Sequence, residues 1–156
     1  MSHDLWGTPL DLFMVLDREF NFDLDAAATH QDTLVPRFIS PENDALKTPW
    51  TGNAVWCNPP YTQLPAFIKR GYEQGIEQQN TVVMLIPAYT DPRYWSEYVM
   101  RAHEVRFLKG RLKFRDGMGT ATMSARFPSV VVVYKHLVGA THGKAPNQFV
   151  WDWRAK

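Results

Sequence analysis

Two runs of the chain, "TVVMLIP" at 81–87 and "SVVVVYK" at 129–135, limit what it can fold into more than any other feature. Each is of strand length, apolar almost throughout and rich in β-branched residues. A strand without polar alternation has no face to give to water, so both faces must be covered. The segments around them supply the cover. "TPLDLFMVLDREF" spaces Leu10, Phe13, Met14, Val15 and Leu16 for an amphipathic helix, with Thr8 as N-cap and Pro9 at the first helical position. "PAFIKRGYEQGIEQ" reads as a second helix burying Phe67, Ile68 and Tyr72, and "PRYWSEYVMRA" as a third. "NFDLDAAA", "PRFIS", "NAVWC" and "EVRFL" are shorter strand signals. Strands alternating with helices predict an α/β sandwich with a mostly parallel sheet, whose ligand site lies at the carboxyl ends of its strands.

A chain of 156 residues with 45% hydrophobic content suits one well-buried domain, and neither a repeat nor a linker interrupts it. The expectation is a single domain over 1–156. Net charge is +1, from 17 Lys and Arg against 16 Asp and Glu, so a polyanion would have to be held by a local basic patch. The lone Cys57 excludes an internal disulfide framework or a cysteine-based zinc site. The five His, at 3, 30, 103, 136 and 142, have no i, i+4 pair, so no metal is expected. No apolar run is long enough for a membrane span or a secretory signal, which points to a soluble protein of a reducing, cytoplasmic compartment.

Chemistry concentrates in "VWCNPPYTQ", where Asn58, Pro59, Pro60 and Tyr61 follow an apolar strand and precede a helix. Consecutive prolines fix their own backbone and force the preceding residue extended, so the loop becomes a rigid set of acceptors. An exocyclic amine on a planar ring offers two N–H donors, which the Asn58 side-chain oxygen and the Pro59 carbonyl can accept while Tyr61 stacks on the ring. Drawing both hydrogens out of the ring plane localises the nitrogen lone pair for attack on an activated methyl group. The bland alternative is a rigid turn.

Asn-Pro-Pro-Tyr in this setting resembles the catalytic motif of S-adenosylmethionine-dependent amino-methyltransferases, which act on adenine in DNA or RNA, guanine in RNA, or protein glutamine. Three further stretches precede it in order: "WGTP" at 6–9, "FDLDAAAT" at 22–29 and "NDALKTPW" at 43–50. With "GRLKF" and "PSVVVVY" they make nearly the whole chain similar to the small phage-encoded DNA N6-adenine methyltransferases of the Dam-like family. That resemblance implies a single-domain Rossmann-like methyltransferase fold with a C-terminal antiparallel strand, S-adenosyl-L-methionine as cofactor, and methyl transfer to the N6 amine of a flipped adenine in a bacterial host cell. It also implies that Asn58, Pro59, Pro60 and Tyr61 are catalytic and that Asn58 also contacts the cofactor. Asp25 would hold the methionine ammonium, with Ala26 and Ala27 small enough for close approach. Asp44 would accept from the cofactor's adenine amine beside Ala45, and Trp6 and Thr8 would cover the bound molecule. The loop after Asp25 departs from the usual pattern in having no Gly-x-Gly. As bare residues, Asp25 could be a turn or N-cap aspartate, Asp44 could equally cap a turn, and Trp6 could staple the first helix to the core.

No inserted recognition domain fits between residues 27 and 54, so contacts to double-stranded DNA must come from loops. "KGRLKFRDGMGTATMSARF" gathers Lys109, Arg111, Lys113, Arg115 and Arg126 against one acid, Asp116, with Gly110, Gly117 and Gly119 permitting movement. Such a segment could follow a phosphate backbone, its alternative being a solvated hairpin. No membrane and no obligate protein partner is implied. Two other functions remain open at this level: the same chemistry on RNA bases or protein glutamine, and a non-catalytic nucleic-acid-binding module.

Overall fold

The computed structural model describes residues 6–116, 122–136 and 145–155. In chain order its strands are β1 (Leu24–Asp25), β2 (Val55–Cys57), β3 (Thr81–Pro87), β4 (Glu104–Leu108), β5 (Lys113–Arg115), β6 (Thr122–Ser124), β7 (Ser129–Lys135) and β8 (Asn147–Trp151). Its α-helices are α1 (Leu10–Phe20), α2 (Leu64–Tyr72) and α3 (Arg93–Glu97). Six strands form one sheet in the order β1-β2-β3-β7-β4-β8, and β5 and β6 form a separate hairpin. The two apolar runs pair with each other along their full length, from Thr81 opposite Lys135 to Pro87 opposite Ser129. Among the described strands of this sheet only β7 runs against its neighbours, so the sheet is mostly parallel, as expected, with its antiparallel strand in the middle.

Side-chain alternation along β3 and β7 divides the core in two. Val82, Met84 and Ile86, with Val130, Val132 and Tyr134, pack under α2 and α3 through Phe67, Ile68, Tyr94 and Trp95. Val83, Leu85, Val131 and Val133 lie on the other face, beneath α1, the hairpin residue Phe114 and Trp153. Helices on one face and a helix plus hairpin on the other give the cover that the apolar runs demanded.

Several elements differ from their expected form. Helix α1 starts at Leu10 with Pro9, not Thr8, as N-cap, and it buries Leu12, Phe13 and Leu16 while Leu10 and Met14 face solvent. "PRFIS" makes only a single bridge, Phe38 beside Asp25, and the Ile39 carbonyl then accepts from the Ala28 amide of the loop after β1. Helix α2 runs on into a wider π-turn, Glu73–Glu77, and the third helix breaks after Glu97 into a short 3-10 turn. Strand β8 went unforeseen because its residues are largely exposed and its sequence lacks apolar alternation.

The π-turn brings backbone against the sheet. A Cβ on Gly75 would lie 2.4 Å from the Tyr134 Cβ and 3.1 Å from the Tyr134 carbonyl oxygen, both fixed by β7. At Gly71 the obstacle is the Met84 sulfur, part of a side chain with several rotatable bonds. We expect Gly75→Ala to destabilise the protein by about 1–3 kcal/mol and Gly71→Ala by less, measured as midpoint shifts in urea denaturation.

Candidate active site

Strands β1 and β2 are parallel and in register, Leu24 opposite Val55 and Asp25 opposite Trp56, so their carboxyl ends emerge side by side. Asp23 sets this register: its carboxylate accepts from the Asn53 and Ala54 amides at 2.8 and 3.2 Å, at the start of β2. Beyond β1 the Ala26 amide still bonds the Trp56 carbonyl at 2.9 Å, and the chain then turns away along Arg37–Ile39. A cleft of about 350 Å³ opens there. Its walls are the loop from Ala26 to Thr29 with Asp32, the stretch from Ile39 through Asp44 to Leu46, and Asn58, Pro60, Gln63 and Phe67 around the start of α2.

Three carboxylates lie in this region in different environments. Asp25 is only 3% exposed and is not part of the cleft wall. Its oxygens accept from the Ala27 and Leu34 amides at 3.3 and 3.2 Å, so it shapes the loop that the cleft is built on. Burial raises its pKa to about 7 against the opposing pull of those two amides. Asp32 and Asp44 do line the cleft. Asp32 caps the turn after Ala28, accepting from the Thr29 amide at 2.6 Å. Asp44 closes a 3-10 turn with φ 51°, a left-handed conformation that Asp tolerates better than most residues. One of its oxygens accepts from the Leu46 amide at 3.1 Å, and the other lies 4.0 Å from the exposed Lys47 ammonium. Ala45 beside it is buried, and its carbonyl accepts from the Trp50 indole at 2.9 Å.

The tetrapeptide follows β2 directly. Asn58 lines the cleft, and its amide nitrogen donates to the Thr8 hydroxyl at 3.1 Å and the Trp6 carbonyl at 3.4 Å. Pro59 is buried, Pro60 lines the cleft, and the Gln63 amide closes a 3-10 turn on the Pro60 carbonyl at 3.1 Å. Tyr61 sits edge-on to Phe127 at 5.6 Å, and Tyr89 meets the same Phe127 ring at 5.8 Å. Burial and the nearby Tyr89 phenol push the Tyr61 pKa up, so its hydroxyl stays neutral. Trp6 stands outside the cleft lining, with its indole 5.5 Å from Phe114 of the hairpin, and Thr8 is buried beneath it.

The five basic residues of the hairpin region divide. Phe114 faces the core, which turns Lys113 outward opposite Ser124. The Ala125 amide bonds the Leu112 carbonyl at 2.9 Å, and Arg111 and Arg126, just outside the two strands, are both exposed. Lys109 is exposed and lies 3.5 Å from Asp152. Arg115 is engaged elsewhere: its Nε donates to the Thr8 carbonyl at 2.9 Å, and its backbone exchanges two bonds with Gly7. Gly117 and Gly119 lie outside the described residues.

The structure therefore gathers Ala26, Ala27, Asp44, Ala45, Asn58 and Pro60 around one cleft, whose lining does not include Trp6, Thr8, Asp25, Pro59 or Tyr61. Asp32, Gln63 and Phe67 were missed. Gln63 and Phe67 had a legible signal, an i, i+4 spacing at the start of the helix that follows the tetrapeptide.

A cleft at the carboxyl ends of parallel strands is where open α/β sheets take their ligands, and here a Pro-fixed loop forms part of its wall. The profile of the "DNA N-6-adenine-methyltransferase (Dam)" family matches residues 1–145, and the chain belongs to that family. A DNA N-6-adenine-methyltransferase of Haemophilus phage HP1 is 32% identical over 151 residues, covering 94% of this chain and 86% of its own length. One from Escherichia phage T1 is 35% identical over 111 residues, covering 70% of this chain and 46% of its own length. A solved structure from Listeria monocytogenes, a candidate class I S-adenosylmethionine-dependent methyltransferase, superposes with a TM-score of 0.48 at 10% identity, covering 86% of this chain and 52% of that one. Family membership makes the protein an adenine-specific DNA methyltransferase and selects adenine in DNA over the RNA, protein and non-catalytic alternatives. Among the described residues, no helix is long and apolar enough to cross a membrane.

Asp25 generates a prediction about pH. Its pKa is about 7 in the fold against 3.8 for an unperturbed aspartate, so the folded state binds the extra proton between those values. Its stabilising contribution is complete below pH ~4 and is lost as pH rises through about 7, because ν for the folded state exceeds that for the unfolded one across this window. Asp25→Asn, neutral throughout, should gain stability relative to the parent from pH 4 to pH 7.5. Denaturation midpoints across that range check this, and a pH-independent difference would remove the buried-carboxylate account.

Proposed function

We propose that the cleft holds S-adenosyl-L-methionine and that Asn58, with the Pro59 carbonyl, activates the N6 amine of an adenine turned out of double-stranded DNA. The observation that carries this reading is that the Asn58 amide lines the same cleft as Asp44, so an acceptor for a target amine and an acceptor for a cofactor amine share one cavity. Asp44, flanked by Ala45 and Leu46, suits the cofactor's adenine edge, its carboxylate accepting from the ring amine. Asp32, the other carboxylate of the wall, suits a hydroxyl or ammonium of the same molecule, and Ala26 and Ala27 leave room for the backbone to approach it. Asp25 contributes by fixing that loop. Bound there, the cofactor supplies an electrophilic methyl group.

This chain's own residues do the rest. Asn58 and the Pro59 carbonyl would accept the two amine hydrogens and favour a tetrahedral nitrogen with a localised lone pair; the proton the nitrogen sheds once methylated would leave from the hydrogen bonds these acceptors make, to water. Tyr61 offers its ring to the displaced base, with Phe127, itself in contact with Tyr89, bracing it edge-on. The half-buried, neutral Tyr61 phenol brings no charge against the purine. Arg111, Lys113 and Arg126 are exposed on or beside the hairpin, with Lys109 exposed just ahead of it, and these cations are offered to the phosphate backbone.

Two experiments test this. Asn58→Ala should lower turnover by ~100-fold or more while cofactor affinity persists, because the missing acceptor acts most strongly as the amine becomes tetrahedral. Tyr61→Ala should weaken capture of the displaced base as well, and Tyr61→Trp should keep measurable activity; a fluorescent adenine analogue in the DNA separates the two. Native turnover in Asn58→Ala would end the catalytic reading. In the second experiment, replacing Arg111 and Lys113 together should flatten the slope of log K against log salt by about 0.9 for each phosphate no longer neutralised, with cofactor affinity unmoved. An unchanged slope would send the DNA to another surface.

A further inference from the structure

We infer that Thr8 is a positioning residue for methyl transfer: the Trp6 carbonyl, which can only accept, selects the nitrogen end of the Asn58 amide for its own side, and the Thr8 hydroxyl holds the amide in that orientation. The inference rests on the role of Asn58 proposed above.

The amide group of asparagine is nearly symmetric in shape and opposite in chemistry at its two ends, since the oxygen accepts and the nitrogen only donates. A target amine brings N–H donors, so the oxygen serves and the nitrogen would oppose them. The terminal torsion of Asn is broad and roughly two-fold, and the side chain itself enforces neither orientation. The choice must come from its surroundings. A carbonyl can only accept, and the Trp6 carbonyl lies 3.4 Å from the Asn58 nitrogen, so the reversed amide would set two oxygens against each other. The Thr8 hydroxyl, at 3.1 Å, makes the shorter bond that holds the nitrogen there. Thr8 is 3% exposed, which denies water the same position. With the nitrogen engaged on this side, the oxygen is the end left for the cleft.

The segment bearing these two groups is itself held. Gly7 exchanges backbone bonds of 2.9 and 3.1 Å with Arg115, and the Arg115 Nε donates to the Thr8 carbonyl at 2.9 Å. A Cβ on Gly7 would come 3.3 Å from the same guanidinium. Residues 6–8 thus form a strap between the hairpin and the tetrapeptide, and Arg115 belongs to that strap while Arg111, Lys113 and Arg126 stay exposed.

The test is steady-state methylation of unmethylated double-stranded DNA with tritiated cofactor, alongside calorimetric binding of S-adenosylhomocysteine. Thr8→Val keeps the shape and removes the hydroxyl; it should lower kcat about tenfold with cofactor affinity and KM for DNA unchanged. Thr8→Ser, which keeps the hydroxyl, should restore most of the rate. Because the hydroxyl acts through the amide, Thr8→Val added to Asn58→Ala should cause no further loss. The inference is overturned if Thr8→Val turns over at the native rate while Asn58→Ala is inactive, if its loss appears as weakened cofactor binding, or if the double variant loses the product of the two single effects. Native turnover in Asn58→Ala would instead overturn the catalytic reading and the positioning role with it.

Discussion

The antiparallel pairing of β3 with β7 is the interaction on which the rest of the structure depends. Both strands are buried on both faces, so each residue of one alternately supports the helical layer above and the α1 and hairpin layer below. Because Val82, Val83 and Met84 also pair with β2, this central ladder fixes where β2 ends, and the end of β2 is where Asn58 begins. A slip of one residue would reverse every side chain and move the tetrapeptide off the cleft. The precision of the site is inherited from the most apolar part of the chain.

Charged residues show how far environment outweighs residue type. Arg106, on β4, is buried, with a two-pronged pair to Glu19 of α1 at 2.8 and 2.6 Å and a third bond to Glu104 at 2.8 Å. The Trp151 ring lies 4.9 Å from the guanidinium carbon and the Phe20 ring 5.5 Å. These acids raise its pKa against burial, keeping it charged while it ties α1 to the sheet. Arg115 ties the N-terminal segment to the hairpin, whereas Arg111 and Arg126 face solvent. The same guanidinium serves as rivet, strap anchor and prospective phosphate ligand according to what surrounds it.

Much of this could be read directly. Continuous apolar runs named the central strands, and the two prolines after "VWC" marked a rigid loop at a strand end. Asp44, Ala45, Ala26 and Ala27, singled out with the tetrapeptide, line one cleft with Asn58. Less legible were the roles decided by burial. "DLDA" contains two carboxylates, and nothing local distinguishes Asp23, which registers β2, from Asp25, which organises the loop behind the cleft. Thr8 before Pro9 has the pattern of a helix cap, yet its hydroxyl is used by a residue fifty positions away.

The sequence by itself determined the α/β class, the layered core and the position of the acceptor loop, because these follow from periodicity and from proline's fixed backbone, which act over a few residues. Only the tertiary structure decided which polar groups line the cleft and which brace it. Burial, carboxylate protonation and the orientation of the Asn58 amide depend on atoms brought together from distant parts of the chain, among them Trp6 and Thr8 against Asn58 and Arg115 against Gly7. Such long-range pairings leave no periodic trace, since each needs only one donor and one acceptor that the folded sheet has placed within about 3 to 3.5 Å.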